Sequence, residues 1–517
     1  MSKHPKILKG WFRKLMRRRL FIFLLIVLQF ATILYYVIDG TLASEVVRNL
    51  LQLTSILVAL HIISRRSKEA YKLTWVFTIL LFPVFGGLFY LLFRYQTRSK
   101  KLRRADCEVK EALRDFPAPK SAREKACAAA PHHARQIEYL EKFAGYAIYE
   151  NTSARHLSPG EDFWESLLPD LESAKRYIFV ESFIIEEGEM WDSICEILRR
   201  KAREGLDVRV IYDDMGCFLR LPLNFEKRMT ADGIRTLTFN RFVPVLNAVQ
   251  NYRDHRKIIA IDGRIAYTGG LNLADEYVNR VSPFGHWKDT GVRLEGDGAN
   301  ALTRIFLENW LLGLGKKAAS EPAFPLPERT APPYPENSFV LPFADSPIDD
   351  EHVVDHVYTQ MIARANRYLY IMTPYLIVDN SMISALCTAA KSGVDIRIIT
   401  PGHWDKRIVH FTTRSYYREL LKAGVKIYEY SPGFIHSKTF VSDDETAVIG
   451  TANMDFRSLY LQFECGAWMY RTEAVNELRD DFLKTLDVCR EITAADCRYN
   501  PFIRFFQEFC RLFAPLM

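Results

Sequence analysis

At 517 residues the chain is long enough for two or three domains with full cores, and its composition, 49% hydrophobic and 25% charged, excludes a disordered chain. The formal net charge of +7 is unevenly placed: residues 1–104 hold 19 Lys and Arg against Asp39, Glu45 and Glu69, so the remaining chain carries a net −9. That distribution argues against a nucleic-acid partner and for attraction between the N-terminal segments and anionic lipid. The nine Cys are scattered, odd in number and without a CxxC pair, so neither a disulfide framework nor a zinc ribbon is signalled, and a reducing compartment fits.

In chain order, Leu20 to Ile38 is 19 residues without a charge, long enough for a transmembrane helix and too long for a cleaved signal peptide. Residues 46–64 read as a second crossing despite Arg48, and 71–93 as a third apolar stretch broken at Pro83 and Gly86-Gly87. Basic residues precede the first segment, follow the second and flank the third on both sides. The positive-inside rule makes the N-terminus cytoplasmic; 71–93 either crosses, which puts its second basic cluster outside, or re-enters as a hairpin that keeps both clusters inside, the favoured reading, with the bulk of the chain facing the cytoplasm. Residues 1–104 are thus expected to be the anchor of a multi-pass protein of the cell membrane, and 105–135, charged and poorly patterned, a linker.

Strands and helices then alternate. Tyr177 to Ile185 is strand-like, Met190 to Glu204 helical, Gly205 a helix stop, and Val208 to Tyr212 the next strand. The same order returns as Tyr368 to Ile377, Ser381 to Lys391, Gly393 and Val394 to Thr400, with Asp207-Val208-Arg209-Val210-Ile211 matching Asp395-Ile396-Arg397-Ile398-Ile399. The second half reads as a diverged copy of the first. The expected fold class is α/β: two pseudo-symmetric halves, 136–315 and 339–490, each a mixed β-sheet flanked by helices and joined by a Pro-rich linker over 316–338. Residues 491–517 form a C-terminal amphipathic segment. Its Phe502, Phe505, Phe506, Phe509 and Phe513 recur near helical spacing, either to lie in a lipid interface or to close the core.

One frame occurs twice. Residues 255–262 read HRKIIAID and residues 436–443 read HSKTFVSD, and in each copy six residues separate the Asp from a small-residue turn ending in Asn, at Asn272 and Asn453. Read as strands, the two copies place His255 beside Lys257 and His436 beside Lys438. Two imidazoles and two ammoniums facing each other would surround a phosphate. One neutral His can attack phosphorus, and the other, protonated, can give its proton to the leaving alkoxide. Lys257, Lys438, Asn272 and Asn453 would hold the non-bridging oxygens as negative charge builds. An attacking imidazole also needs its second nitrogen held by a carboxylate, for which the sequence offers Asp289 downstream of the first frame and Glu464 downstream of the second. Asp262 and Asp443 complete the frames but sit before turns, a mainly structural position. His352 and His356 lack a third ligand, so neither metal nor cofactor is expected.

This doubled HxKxxxxD frame resembles the phospholipase D superfamily. The stretches NYRDHRKIIAIDGRIAYTGGLNLADEY (251–277), HWKDTGVRLEG (286–296), TPYLI (373–377) and FIHSKTFVSDDETAVIGTANMDFRSL (434–459) carry the resemblance further, to the bacterial cardiolipin synthases, over nearly the whole chain. The resemblance implies a metal-free phosphatidyltransferase that makes cardiolipin and glycerol from two phosphatidylglycerols through a phosphatidyl-histidine. It makes His255 the nucleophile and His436 the general acid, with phosphatidylglycerol and membrane lipids as partners. Two departures stand out: Gln462 where the family usually has Asn before Phe-Glu, and Gly270 where the second copy has Thr451. Within the same chemistry the alternatives are a hydrolase and a transferase to another alcohol. A nuclease would want a basic catalytic face, and a lipid-binding scaffold would not need the histidines.

Overall fold

The structure, a computed structural model, describes residues 42–65, 68–82, 97–113, 120–242, 251–321 and 337–516, with Ala31, Tyr35, Gly87, Tyr90, Phe324 and Tyr334. The chain forms two compact units, one of residues 1–100, 242–251 and 512–515, the other of 101–241, 252–511 and 516–517.

In the first unit α1 (Leu42–Ser64) and α2 (Glu69–Leu81) are helical, and Ile62, Ile79 and Tyr90 form a small core packed by Val58, Trp75 and Val76. The crossing expected over 20–38 lies outside the described residues, apart from Ala31 and Tyr35. Among the described residues no helix is long and apolar enough to cross a membrane. α1, where a crossing is expected over 46–64, carries Glu45, Arg48, Asn49, Gln52 and His61 among its 23 residues. Of the hairpin expected over 71–93, residues 83–93 lie outside the description except Gly87 and Tyr90.

The expected tether over 105–135 is instead largely helical. It comprises α3 (Thr97–Ala112), α4 (Lys120–Ala129) and, after a short turn, the start of α5 (Ala134–Lys142). Ala122, Ala126 and Ala130, spaced by four, are buried, and the Tyr470 hydroxyl donates to the Ala129 carbonyl. A stripe of small side chains lets α4 pack closely, a pattern that charge counting does not register.

The first half runs β1 (Thr152–Leu157), α6 (Gly160–Glu172), β2 (Tyr177–Ser182), α7 (Glu189–Arg203), β3 (Asp207–Asp213), α8 (Phe225–Ala231), β4 (Arg235–Phe239), β5 (Arg253–Asp254), β6 (Ile258–Ile261), β7 (Ile265–Gly269), β8 (His286–Lys288), β9 (Gly291–Gly296) and α9 (Ala299–Leu314). The second runs β10 (Phe339–Asp345), α10 (Val353–Arg364), β11 (Tyr368–Met372), β12 (Leu376–Ile377), α11 (Asn380–Lys391), β13 (Asp395–Pro401), α12 (Arg407–Ala423), β14 (Lys426–Tyr430), β15 (Gly433–Ile435), β16 (Thr439–Ser442), β17 (Thr446–Gly450), β18 (Met454–Asp455), α13 (Phe456–Tyr460), β19 (Gln462–Tyr470), α14 (Glu473–Leu486), β20 (Cys489–Ile492) and α15 (Pro501–Leu512). The sheets are ordered β1-β9-β7-β6-β2-β3-β4 and β10-β19-β17-β16-β11-β13-β14-β20. Each is mixed: β2 and β3, like β11 and β13, run parallel, while β6 and β16 run antiparallel to them. Most of 316–338, the expected Pro-rich linker, lies outside the described residues.

The repeat is visible in local detail. In α7, Met190, Trp191, Ile194, Ile197 and Leu198 are buried on one face, and Gly205 leaves the helix at φ 94°, as Gly393 does at φ 99° after α11. Strands expected to reach Ile185 and Ile377 stop at Ser182 and Met372. There the Ser182 and Thr373 hydroxyls turn onto the carbonyls of Ile184 and Tyr375, at 2.7 and 2.9 Å. Near the sheet edge so opened, the halves join: β7 packs against β17 and β19, β8 pairs parallel with β15, and β5 pairs parallel with β19.

Candidate active site

The repeated frames are not strands throughout. Their ladders begin at Ile258 and Thr439, so His255 to Lys257 and His436 to Lys438 stand just ahead of β6 and β16. Their amides are taken up by the opposite half: His255 N–H donates to the Phe463 carbonyl at 2.9 Å, and His436 N–H to the Lys288 carbonyl at 2.7 Å. A backbone that leaves its own sheet to pair with the other half brings both histidines to the junction.

The carboxylates follow the same exchange. Nδ1 of His255 lies 2.9 and 3.0 Å from the two oxygens of Glu464, in the second half, and Nδ1 of His436 lies 2.6 Å from Asp289 Oδ2, in the first. Each imidazole is thus oriented by the carboxylate of the other half, and its Nδ1–H donates, which leaves Nε2 as the nitrogen with a free lone pair. The spacing along the chain places each carboxylate downstream of its own frame and carries no sign of this crossing.

The two environments differ. Phe183 stands edge-on to His255 at 5.1 Å between ring centres, with the Lys257 ammonium over the same ring at 5.6 Å. Around His436 lie Tyr277 at 5.5 Å, Trp287 at 5.1 Å and Phe434 at 6.1 Å. Glu464 accepts from the Thr451 hydroxyl, and the Gln462 amide, oriented to satisfy its neighbours, donates to it at 3.0 Å and accepts from Arg457 Nε at 3.2 Å. Gln462 therefore supports Glu464 directly. Gly270 occupies the corresponding place by Asp289, and a Cβ there would lie 2.0 Å from Asp289 Oδ1. The shorter acid fills the space that Thr451 fills in the second copy, which explains the glycine.

Lys257 and Lys438 each donate from Nζ to the carbonyl of their own histidine, at 2.5 Å for Lys257. Burial pushes the two ammoniums down to about 8 and about 7 respectively. Burial holds the His255 imidazole well below its usual range, followed by the positive charges of Lys257, Lys438, Arg457 and Lys406. Burial and Lys438 push His436 down to about 3, against the opposing pull of Asp289. Burial raises Glu464 to about 7. Burial and the neighbouring positive charges thus hold both imidazoles toward their neutral forms.

The other expected residues fall in two groups. Asn272 and Asn453 are buried by the histidines' turns, where the Asn272 amide bridges the Ile184 N–H at 3.0 Å and the Tyr277 hydroxyl at 2.6 Å, and Asn453 Nδ2 donates to Asp455 at 3.0 Å. Each Nδ2 keeps a second hydrogen. Asp262 and Asp443 sit beyond the far ends of β6 and β16. Asp262 accepts from the amides of Lys175, Arg176 and Tyr177, and Asp443 from those of Asn366, Arg367 and Tyr368. Their oxygens anchor the turns entering β2 and β11. Sequence reasoning missed Phe183, Tyr277 and Trp287; of these Tyr277 and Trp287, as aromatics inside the motif-bearing stretches, gave a signal.

The model of the "Cardiolipin synthase, PLD-like domain" family matches this chain twice, over residues 167–282 and 358–486, and that of "Phospholipase D-nuclease N-terminal" matches 54–94. A cardiolipin synthase of Geobacillus kaustophilus is 34% identical over 90% of this chain and 93% of its own. The chain belongs to the phospholipase D-like cardiolipin synthase family. An uncharacterised protein of Streptococcus mutans is a further relative, 38% identical over 84% of this chain and 94% of its own. Among solved structures, phosphatidylserine synthase of Haemophilus influenzae overlays with a TM-score of 0.55 over 74% of this chain and 98% of its own, at 15% identity, a likeness of fold. The two family matches fall one in each half, so the internal repeat is the family's domain used twice.

Proposed function

We propose that this chain is a phosphatidyltransferase that makes cardiolipin and glycerol from two phosphatidylglycerols. The observation that carries the reading is the crossed pair of His–carboxylate contacts, His255 with Glu464 and His436 with Asp289, joined in one buried cationic site. Two histidines so held suit a two-step displacement at phosphorus.

In the first step His255 Nε2 attacks phosphorus and the bond from phosphorus to the glycerol headgroup oxygen breaks, while His436 protonates the departing alkoxide. In the second step the now neutral His436 takes the proton from a hydroxyl of another phosphatidylglycerol. That oxygen displaces His255, which restores both residues. The division of roles is supported by the charges around them. Burial, then Lys257, Lys438, Arg457 and Lys406, keep His255 neutral and nucleophilic; burial and Lys438 hold His436 low as well, and Asp289 opposes them there, the one carboxylate pull toward the proton-carrying form that the acid role draws on. Lys257, Lys438 and the second N–H groups of Asn272 and Asn453 stabilise the non-bridging oxygens. The chemistry draws on the chain's own side chains throughout.

The membrane assignment belongs to the same reading. Residues 1–104 serve as the anchor of a multi-pass protein of the cell membrane, with 71–93 re-entrant and the two halves, 136–315 and 339–490, on the cytoplasmic side. The clustering of 19 Lys and Arg around apolar segments supports it, as does the match of the N-terminal family over 54–94.

Purified full-length protein supplied with labelled phosphatidylglycerol tests the activity. Cardiolipin and glycerol in equal amounts are expected. Phosphatidic acid as the lipid product would assign a hydrolase, a product with another alcohol only when that alcohol is added would assign a different transferase, and no product would reject the reading.

A further inference from the structure

Large apolar side chains stand in water at corresponding places in the two halves. The loop after β3 exposes Met215, Leu219 and Leu223, the last two at 81% and 84%. The segment after β13, which occupies the same place in the repeat, exposes Trp404 at 43% and Ile408 at 59%. Because β3 and β13 run parallel to β2 and β11, and β6 and β16 run against them, both loops leave their sheets at the edge where the histidines enter. Each loop is packed onto its half-site. Cys217 Sγ accepts from the Ile185 N–H at 3.2 Å, and a Cβ on Gly216 would lie 2.0 Å from the carbonyl of Phe183, the residue edge-on to His255. On the other side the Tyr375 hydroxyl donates to Asp405 at 2.5 Å, and Lys406 lies over the Tyr375 ring, which neighbours Phe434 at 6.4 Å.

A third element continues the second loop. In α15 Phe502, Phe505 and Phe506 are exposed while Gln507 and Cys510 face inward, so of the two roles open to this helix the structure excludes a core helix with a buried phenylalanine stripe. Phe506 meets Phe411 of α12 at 5.5 Å, one turn beyond Ile408. Lys406, with its side chain 67% exposed, and Arg407, stacked on Trp404 at 4.5 Å, add positive charge at the same rim.

Two diverged copies that both leave large apolar groups in water beside one site, with cations among them, have the chemistry of a surface that enters the headgroup layer of an anionic bilayer. We propose that the loops 214–224 and 402–408, with the phenylalanine flank of α15, seat the catalytic unit on an anionic bilayer, so that a lipid headgroup reaches His255 and His436 without its acyl chains leaving the membrane. This rests on the reading above that the substrate is a phospholipid, and it adds which residues hold the site against the membrane.

The test compares full-length protein with the variant Leu219→Gln/Leu223→Gln and with Trp404→Gln/Ile408→Gln. Each is assayed on phosphatidylglycerol in mixed phosphatidylglycerol–phosphatidylcholine vesicles and on monomeric dibutyroyl phosphatidylglycerol. The expected result is a loss of about tenfold or more on vesicles with less than about a twofold change on the monomeric substrate. Equal losses on both, or no loss on vesicles, would overturn the proposal. Should wild-type protein turn over neither substrate, the transferase reading fails, and seating is read separately from Trp404. The emission lost in Trp404→Phe should be quenched by vesicles with bromine-labelled acyl chains, and an unquenched Trp404 would overturn the seating as well.

Discussion

The half-sites of His255 and His436 share one frame and differ in nearly everything that surrounds it. Glu464 is held by the Thr451 hydroxyl and the Gln462 amide and is raised to about 7, so at neutral pH its negative charge is partial. Asp289 is pressed against Gly270, 2.6 Å from His436, and pulls that imidazole toward its charged form inside a cage of Tyr277, Trp287 and Phe434. A duplicated motif thus sits in two different surroundings, and the proposed division of roles, His255 attacking and His436 carrying the proton, rests on that difference.

The largest expected effect is common to both sides. His255→Ala and His436→Ala should each lower kcat by about 10⁴-fold, and the double variant should lose no more than the worse single one, because the pair acts as a unit. Additive losses in lipid turnover would mean two independent sites. The carboxylates should separate the halves: Asp289→Asn should cost about 10³-fold and Glu464→Gln about tenfold less, since the former supports a charged imidazole and the latter a neutral one. Equal losses, or the reverse order, would break the comparison. Smaller again, Thr451→Ala should cost about tenfold in kcat through a loosened Glu464. Gly270→Ala, which forces Asp289 aside, should also lower folding stability by about 1 to 3 kcal/mol in thermal or denaturant unfolding.

The least disruptive variant probes pH. Lys438 and Lys257 are ammoniums only below about 7 and about 8, so kcat/KM of wild-type protein should fall as pH rises through that window. Lys438→Arg keeps its charge at every pH, so the alkaline limb should move up toward the value of Lys257, although the rate itself drops. An unmoved limb would remove Lys438 from the anion site.

Much of this was legible in the sequence because it is periodic or doubled. Helix and strand order around 177–212 and 368–400, the glycine stops and the two histidine frames all follow from local pattern. What sequence could not reveal is set by the meeting of the halves. The exchange of carboxylates depends on β5 and β15 leaving their own sheets to pair across, as does the end of each expected strand short of its His-Lys pair. Asp262 and Asp443 show the same limit: they belong to the frame in sequence, yet their oxygens bind backbone amides at the other end of the strand. Helix α4 was hidden for a third reason, that alanine packing leaves little amphipathic signature.

The central claim is that His255 carries the phosphatidyl group and His436 the proton. It is tested most directly by rapid acid- or base-quenching of full-length protein with phosphatidylglycerol labelled at phosphorus, followed by mapping of the labelled peptide. In His436→Ala the label should accumulate on His255, and His255→Ala should carry none. Label on His436 in the His255→Ala protein would contradict the assignment.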